Sequence, residues 1–214
     1  MLRAPIVTLA TVVVLGLVLI VVDMAVQRPA AAPAPAAPTV AAPAPAPAAA
    51  AAPAPAAFPA RAHYVGEVTS AGATIPIAVT VDGAHAKAYV CDGQDVEAWL
   101  QGTAGAGSLD ASGRKGNHLT GHLDGDRLTG TVHLAGRPDA PFTADPTSGD
   151  RAGVYRQSVA GRTTGWIVRG DGGQVGLSHD GSGAVAPAPP LPPAGPLPSG
   201  VAPVDGTTDV LSAS

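Results

Sequence analysis

Two runs of alanine and proline decide how much of this chain can fold. Residues 29–60, PAAAPAPAAPTVAAPAPAPAAAAAPAPAAFPA, carry prolines throughout. Each removes a backbone donor and holds its predecessor extended, so alanine's helix preference is overridden. Such a segment is a semi-rigid, polyproline-II-like spacer, reaching about 100 Å at about 3.1 Å per residue. Residues 184–204, AVAPAPPLPPAGPLPSGVAPV, have the same character. They read as a disordered tail, and their PxxP spacing suits an SH3-type ligand only in a cytoplasmic setting. What remains is about 120 residues, 62–183, in which to build a core.

Before the spacer, residues 4–22, APIVTLATVVVLGLVLIVV, contain no charge. At about 1.5 Å per residue they cover about 28 Å, close to the hydrocarbon core of a bilayer. A cleaved secretory signal is the alternative, with a secreted product. It is the poorer fit, because its apolar region is usually only about 7–15 residues long and ends at a small-x-small site. A cut after Ala25 places Asp23 where a small residue is wanted, and one after Ala32 meets Pro33. Arg3 precedes the span and Asp23 and Arg28 follow it, a weak bias toward a cytoplasmic N-terminus. The expected organisation is an anchor (residues 1–28), a linker (29–61), a β domain outside the cytoplasmic membrane (62–183) and a tail (184–214).

Within 62–183 the pattern is one of short strands. Ile75, Ile77, Val79 and Val81 alternate with Thr74, Pro76, Ala78 and Thr80, and Asp-Gly turn signals begin at 82, 92, 124, 171 and 180. Strands at about ten-residue spacing predict an all-β fold, a small antiparallel meander closed or partly open as a barrel, with a sandwich as alternative. In NHLTGHLDGDRLTGTVHL, a two-residue Gly125-Asp126 turn pairs Leu123 with Leu128 and Leu119 with Val132, all on one face. In TGWIVRGDGGQVGL, a loop of Gly170 to Gly173 pairs Val168 with Val175 and Trp166 with Leu177. With two Trp, three Tyr and two Phe in the chain, a barrel interior would be filled by aliphatic side chains rather than hollow.

The first register sets His118 opposite His133, with Cβ atoms about 5 Å apart, close enough to share a metal ion. His122, about 13 Å along the strand, cannot join them, and the bland reading is an exposed threonine/histidine stripe. Ser178, His179 and Asp180 are consecutive and so cannot converge as a triad. The RGD at 169–171 reads as a hairpin tip. There is no phosphate-binding glycine loop, CxxC pair or HExxH, and so no cofactor is expected. Scattered basic residues under a net charge of −4 disfavour a nucleic-acid partner.

Cys91 is the only cysteine, so no internal disulfide can form, although one between two chains could. An odd loop in AHAKAYVC-DGQ-DVEAWLQ, such as Asp92-Gly93-Gln94, separates two faces. One carries Ala86, Ala88, Val90, Val96, Ala98 and Leu100; the other Lys87, Tyr89, Cys91, Glu97, Trp99 and Gln101. Tyr89, Trp99 and Cys91 then form an amphipathic aromatic patch, the expected ligand or partner surface. The competing idea is a sortase-like transpeptidase using Cys91, with His63, His85 or His118 as base and Arg114 or Arg156 at the oxyanion. AYVCDG departs from the Thr-Leu-x-Thr-Cys signature of that class. The segments YVGEV (64–68), AYVCDG (88–93), EAWLQG (97–102), GVYR (153–156) and GWIV (165–168) together resemble a loose group of uncharacterised actinobacterial envelope proteins with Ala/Pro-rich linkers. That resemblance implies an extracytoplasmic β domain and carries no activity. The expected function is non-catalytic: binding a wall component, lipid, small ligand or protein partner.

Overall fold

The computed structural model describes residues 57–70 and 72–211. The anchor and all but the last few residues of the linker lie outside them. No helix among the described residues is long and apolar enough to cross a membrane.

Eight antiparallel strands follow one another: β1 (Arg61–Ser70), β2 (Ala73–Asp82), β3 (His85–Cys91), β4 (Glu97–Gly105), β5 (Ser108–Gly113), β6 (His118–Asp124), β7 (Arg127–His133) and β8 (Ala140–Pro146). Each pairs with the next, and β8 returns to β1, closing a barrel. Residues pointing inward are those the alternation selects: Ile75, Ile77, Val79 and Val81 from β2, Ala86, Ala88 and Val90 from β3, with Tyr64, Leu119 and Phe142. The interior is a packed and mainly aliphatic core, with Tyr64 and Phe142 as its buried aromatic members. At the closing seam, a Cβ on Gly66 would sit 1.9 Å from the Thr143 carbonyl oxygen. The strands approach this closely only because residue 66 lacks a side chain.

The expectation of one meander is corrected by a second sheet. It contains β9 (Gly153–Val159), β10 (Arg162–Val168), β11 (Gln174–Asp180), β12 (Val185–Pro187) and β13 (Val201–Pro203), in the order β12-β11-β10-β9-β13. One face lies on the outside of the barrel, where Val154, Ile167 and Leu177 meet Ala78, Tyr89 and Cys91. The other face carries Tyr155, Trp166 and Val168, and Leu191 covers it.

Residues 184–211 are therefore not a disordered tail. They contribute both edge strands of the sheet and three buried anchors, Leu191, Val204 and Val210. Proline is tolerated there for the reason that makes it rare elsewhere in sheets: an edge strand has a side that needs no donor. Its fixed φ also reduces the entropy lost on ordering. At the other end, Arg61 of the expected linker begins β1, and Phe58 packs edge-on against Tyr64, with centroids 6.1 Å apart.

The β6–β7 register is the expected one, with Leu123 opposite Leu128, Leu119 opposite Val132 and His118 opposite His133. The β10–β11 register is not. Ile167 faces Val175, Gly165 faces Leu177, Trp166 faces Gly176, and the loop runs from Arg169 to Gly173. Sorting apolar residues onto one face assumes a single buried face. This sheet buries both, so Trp166 and Ile167, adjacent in sequence, each find a core.

Candidate functional site

The β3–β4 hairpin has an odd loop of five residues, longer than the three used as an example, and its two faces separate as expected. Tyr89 lies opposite Trp99 and Cys91 opposite Glu97. The loop is set by Asp92, whose carboxylate accepts the backbone N–H groups of Gln94 (2.8 Å), Asp95 (3.0 Å) and Val96 (3.0 Å). Burial pushes this carboxyl up, but those N–H bonds outweigh it and hold Asp92 below the usual aspartate range.

The aromatic face of this hairpin is the joint between barrel and sheet rather than a free surface. The Tyr89 and Trp99 rings stack with centroids 4.0 Å apart and an interplanar angle of 24°. β10 lies across them at Gly165. A Cβ there would be 2.5 Å from Trp99 Cζ2 and 2.6 Å from Tyr89 Cζ and Oη. Tyr89 and Cys91 have no exposed surface, while Trp99 is half-buried. The Arg156 guanidinium of β9 stands over the Trp99 ring at 5.5 Å from its centroid.

Glu97 is the polar centre of the joint. Its Oε1 accepts the Tyr89 hydroxyl at 2.8 Å and the Trp99 indole N–H at 3.2 Å. Its Oε2 stands 3.5 Å from Nε2 of His179 on β11. The two side chains are 13% and 22% exposed, so the pair is largely withdrawn from water but still reachable. Burial raises the Glu97 carboxyl above the ordinary glutamate range, against the opposing pull of Tyr89, His179, Trp99 and Arg156. Burial, followed by the Glu97 charge, drives the Tyr89 phenol well above its usual value.

Glu97, Trp99 and His179 open into a cleft of about 320 Å³, whose other walls include Asp95, Arg114, Lys115, Leu177, Val185, Val210 and Leu211. Arg114 donates through Nε (3.0 Å) and Nη2 (2.5 Å) to the Leu211 carbonyl, holding the C-terminal stretch against it. Two roomier grooves are more open. One, of about 720 Å³, crosses the β1–β8 seam, and four of its five charged side chains form the pairs Arg127–Asp145 (2.6 Å) and Glu67–Arg169 (3.8 Å). The other, of about 690 Å³, lies over β4 to β7 and is lined by small and threonine side chains with His122. Neither contains a buried ionisable pair, which makes the smaller cleft the candidate site.

Cys91 is packed among Tyr89, Val154, Ile167 and Leu177. The Gly93 amide donates to its sulfur at 3.3 Å. Burial raises its thiol despite the Tyr89 hydroxyl and the Gly93 amide, so the thiolate is disfavoured. The histidines nominated as its base are engaged or placed elsewhere. His63 meets Thr80 Oγ1 at 3.1 Å, His85 is exposed at the start of β3, and His118 meets Ser112 Oγ at 3.2 Å. Arg114 and Arg156 do lie near the joint, bonded to the backbone carbonyls of Leu211 and Asp209.

His118 and His133 are cross-strand neighbours, but each turns to its own carboxylate: His118 to Asp110 at 3.6 Å, His133 to Asp139 at 2.6 Å. No group of three or more potential metal ligands occurs among the described residues. Ser178, His179 and Asp180 diverge along β11, and Ser178 accepts the Thr164 hydroxyl at 2.9 Å. Glu97 and His179 were thus both visible in the sequence, but nothing in it joins residues 82 positions apart. Comparison with family models, curated proteins and solved structures finds no match for this chain.

Proposed function

We propose that this chain is a membrane-anchored envelope protein, held by residues 4–22 with its β domain outside the cytoplasmic membrane. The domain is a non-catalytic binding module, and its ligand site is the Glu97–His179 cleft. One observation carries the assignment of the site. A carboxylate has been withdrawn from water beside an imidazole, at the wall of an open cleft, with its pKa displaced upward. An apolar pair would join the two sheets at least as well, because burying charges recovers little of their desolvation. A carboxyl kept there is available to exchange hydrogen bonds with something that enters.

The walls suit a small polar envelope ligand. Such a ligand would offer donors to Glu97 and rest an apolar part on the exposed Val185, beside the cationic Arg114 and Lys115. The packed barrel core argues against an enclosed lipid of the lipocalin kind. A cysteine-nucleophile reading draws no support from a thiol with no exposed surface.

The test is ligand-induced stabilisation of the detergent-solubilised full chain by soluble wall fragments and by lipid headgroup analogues. One class raises Tm in the wild type and not in Glu97→Gln, whose side chain keeps its shape and loses its charge. Equal stabilisation of both proteins, or of neither, refutes the site. The anchor is tested apart from it: the chain stays with membranes after an alkaline carbonate wash and keeps its N-terminal residues. A soluble, N-terminally shortened product refutes the anchor.

A further inference from the structure

The outer face of the second sheet meets its cover in an unusual way. Tyr155 and Trp166 form an aromatic floor, and the extended segment 188–191 (Ala-Pro-Pro-Leu) crosses it. The Trp166 indole N–H donates to the Pro189 carbonyl at 2.8 Å. Gln174 clamps Leu191 from both sides, its amide donating to the Leu191 carbonyl (2.9 Å) and its oxygen accepting the Leu191 N–H (2.8 Å). Ala188 donates to the Gly176 carbonyl at 2.9 Å. The Leu191 side chain fills the pocket beside the rings, while Pro189 and Pro190 remain exposed. An aromatic groove with a side-chain donor aimed at the carbonyl of a proline-rich strand is the chemistry by which small β modules read polyproline II. Here the reader and its ligand are one chain.

The covering segment belongs to a C-terminal arm that begins beyond a short connection at residues 181–184, all of them exposed. That connection is a tight turn. The Asp180 carboxylate accepts the Ser182 N–H (3.0 Å) and the Ala184 N–H (3.2 Å), the Gly183 N–H donates to the Asp180 carbonyl at 3.0 Å, and Gly183 has φ +84°. We propose that the outer face of β9–β11 is a polyproline reader whose occupant can be the arm of a second copy of this chain, swung out at residues 181–184. Two chains then join by exchanging residues 185–211. The second copy is the occupant the contacts support, because its arm fits the groove residue by residue. The arm must undock to exchange, but each pairing and buried anchor is made again in the dimer, so only the connecting turn differs between the two states.

The deciding variant is Gly183→Pro in the full chain. Proline cannot adopt positive φ and removes the N–H that closes the turn, so the arm can no longer fold back on its own body. Sedimentation in detergent is expected to show a doubled protein mass, with Trp166 emission as in the wild type because each groove is refilled. An excess of synthetic peptide 185–211, which carries every anchor of the exchanged arm, returns that dimer to monomer. A variant that stays monomeric with its arm in place overturns the proposal. So does a monomer with Trp166 exposed, and so does a dimer indifferent to the peptide.

Native-state hydrogen exchange on the wild type supplies a second reading that needs no variant. The Leu191 amide and the Trp166 indole N–H are expected to exchange together, and faster than the backbone amides of β10. Equal protection would mean that the arm leaves only on global unfolding, and would overturn the proposal.

Discussion

Replacing Gly165 by alanine tests the joint between barrel and sheet with one methyl group. The added Cβ would lie 2.5–2.6 Å from Trp99 and Tyr89 atoms, where carbon atoms prefer about 3.5–4.0 Å. About 1 Å of movement is therefore required. The rings cannot easily supply it, since they stack on each other and both donate to Glu97. Inserting a methyl into a filled core costs about 1–3 kcal/mol, and a contact this short against two constrained rings belongs near the upper end. At about 2–4 °C per kcal/mol for a domain of this size, Tm should fall by roughly 5–10 °C. Thermal melts and urea titration measure it. Trp99→Phe removes Cζ2 and opens the space, so the double variant should be less than additive by about 1 kcal/mol. An unchanged Tm for Gly165→Ala, or full additivity in the cycle, would refute the close docking of β10 on the aromatic pair.

Three further outcomes follow from the same geometry. Burial raises the folded pKa of Glu97 above its unfolded value near 4.5, so its ionisation weakens the fold as pH rises from there through the folded pKa. Each unit of displacement is worth about 1.4 kcal/mol. Glu97→Gln should gain on the wild type between pH 4 and pH 7.5 in urea midpoints, and an identical pH slope for both proteins excludes the effect. Cys91 should react with a thiol reagent about 100-fold or more slowly than in urea-unfolded chain, because reaction waits for local opening; reaction at the rate of a model thiol would show an open site. A chain ending at residue 183 loses Leu191, Val204 and Val210, each buried to 4% exposure or less. At about 1.5–3 kcal/mol apiece that is roughly 5–9 kcal/mol of burial, from which the entropy a freed arm regains is subtracted, so the net loss is large but smaller than the domain's whole stability. Circular dichroism should find this chain folded, its barrel core complete without the arm, but melting far lower, and a wild-type melt would return the arm to the status of a tail.

Much of the barrel was legible because its strands obey one rule. On β6 and β7 the inward residues Leu119, Leu128 and Val132 are buried, while Thr120, His122, Thr131 and His133 face water. One dry face and one wet face fix the register, and the expected pairing is the observed one. The β3–β4 hairpin was half legible. Its face with Ala88, Val90 and Leu100 belongs to the barrel core as expected, but Tyr89 and Trp99 on the other face looked like a contact surface for an outside partner. They are a contact surface, and the partner is the chain's own second sheet.

That difference has a single physical cause, which also explains the slipped register of β10–β11 and the misread arm. Periodicity in a strand reports how many of its faces are dry, not what dries them. Trp166 and Ile167 are both apolar because the barrel lies on one side and Leu191 on the other. Proline-rich composition reports backbone stiffness and missing donors, and a sheet edge with an aromatic groove beside it can use both. The cleft escapes for the same reason. Glu97 comes from the barrel and His179 from the sheet, so their 3.5 Å approach exists only once the two layers have docked. The Gly165→Ala and Glu97→Gln substitutions therefore probe one event. If docking of β10 on Tyr89 and Trp99 creates the site, Gly165→Ala should weaken ligand binding as well as stability, while Glu97→Gln should weaken binding and leave the joint intact.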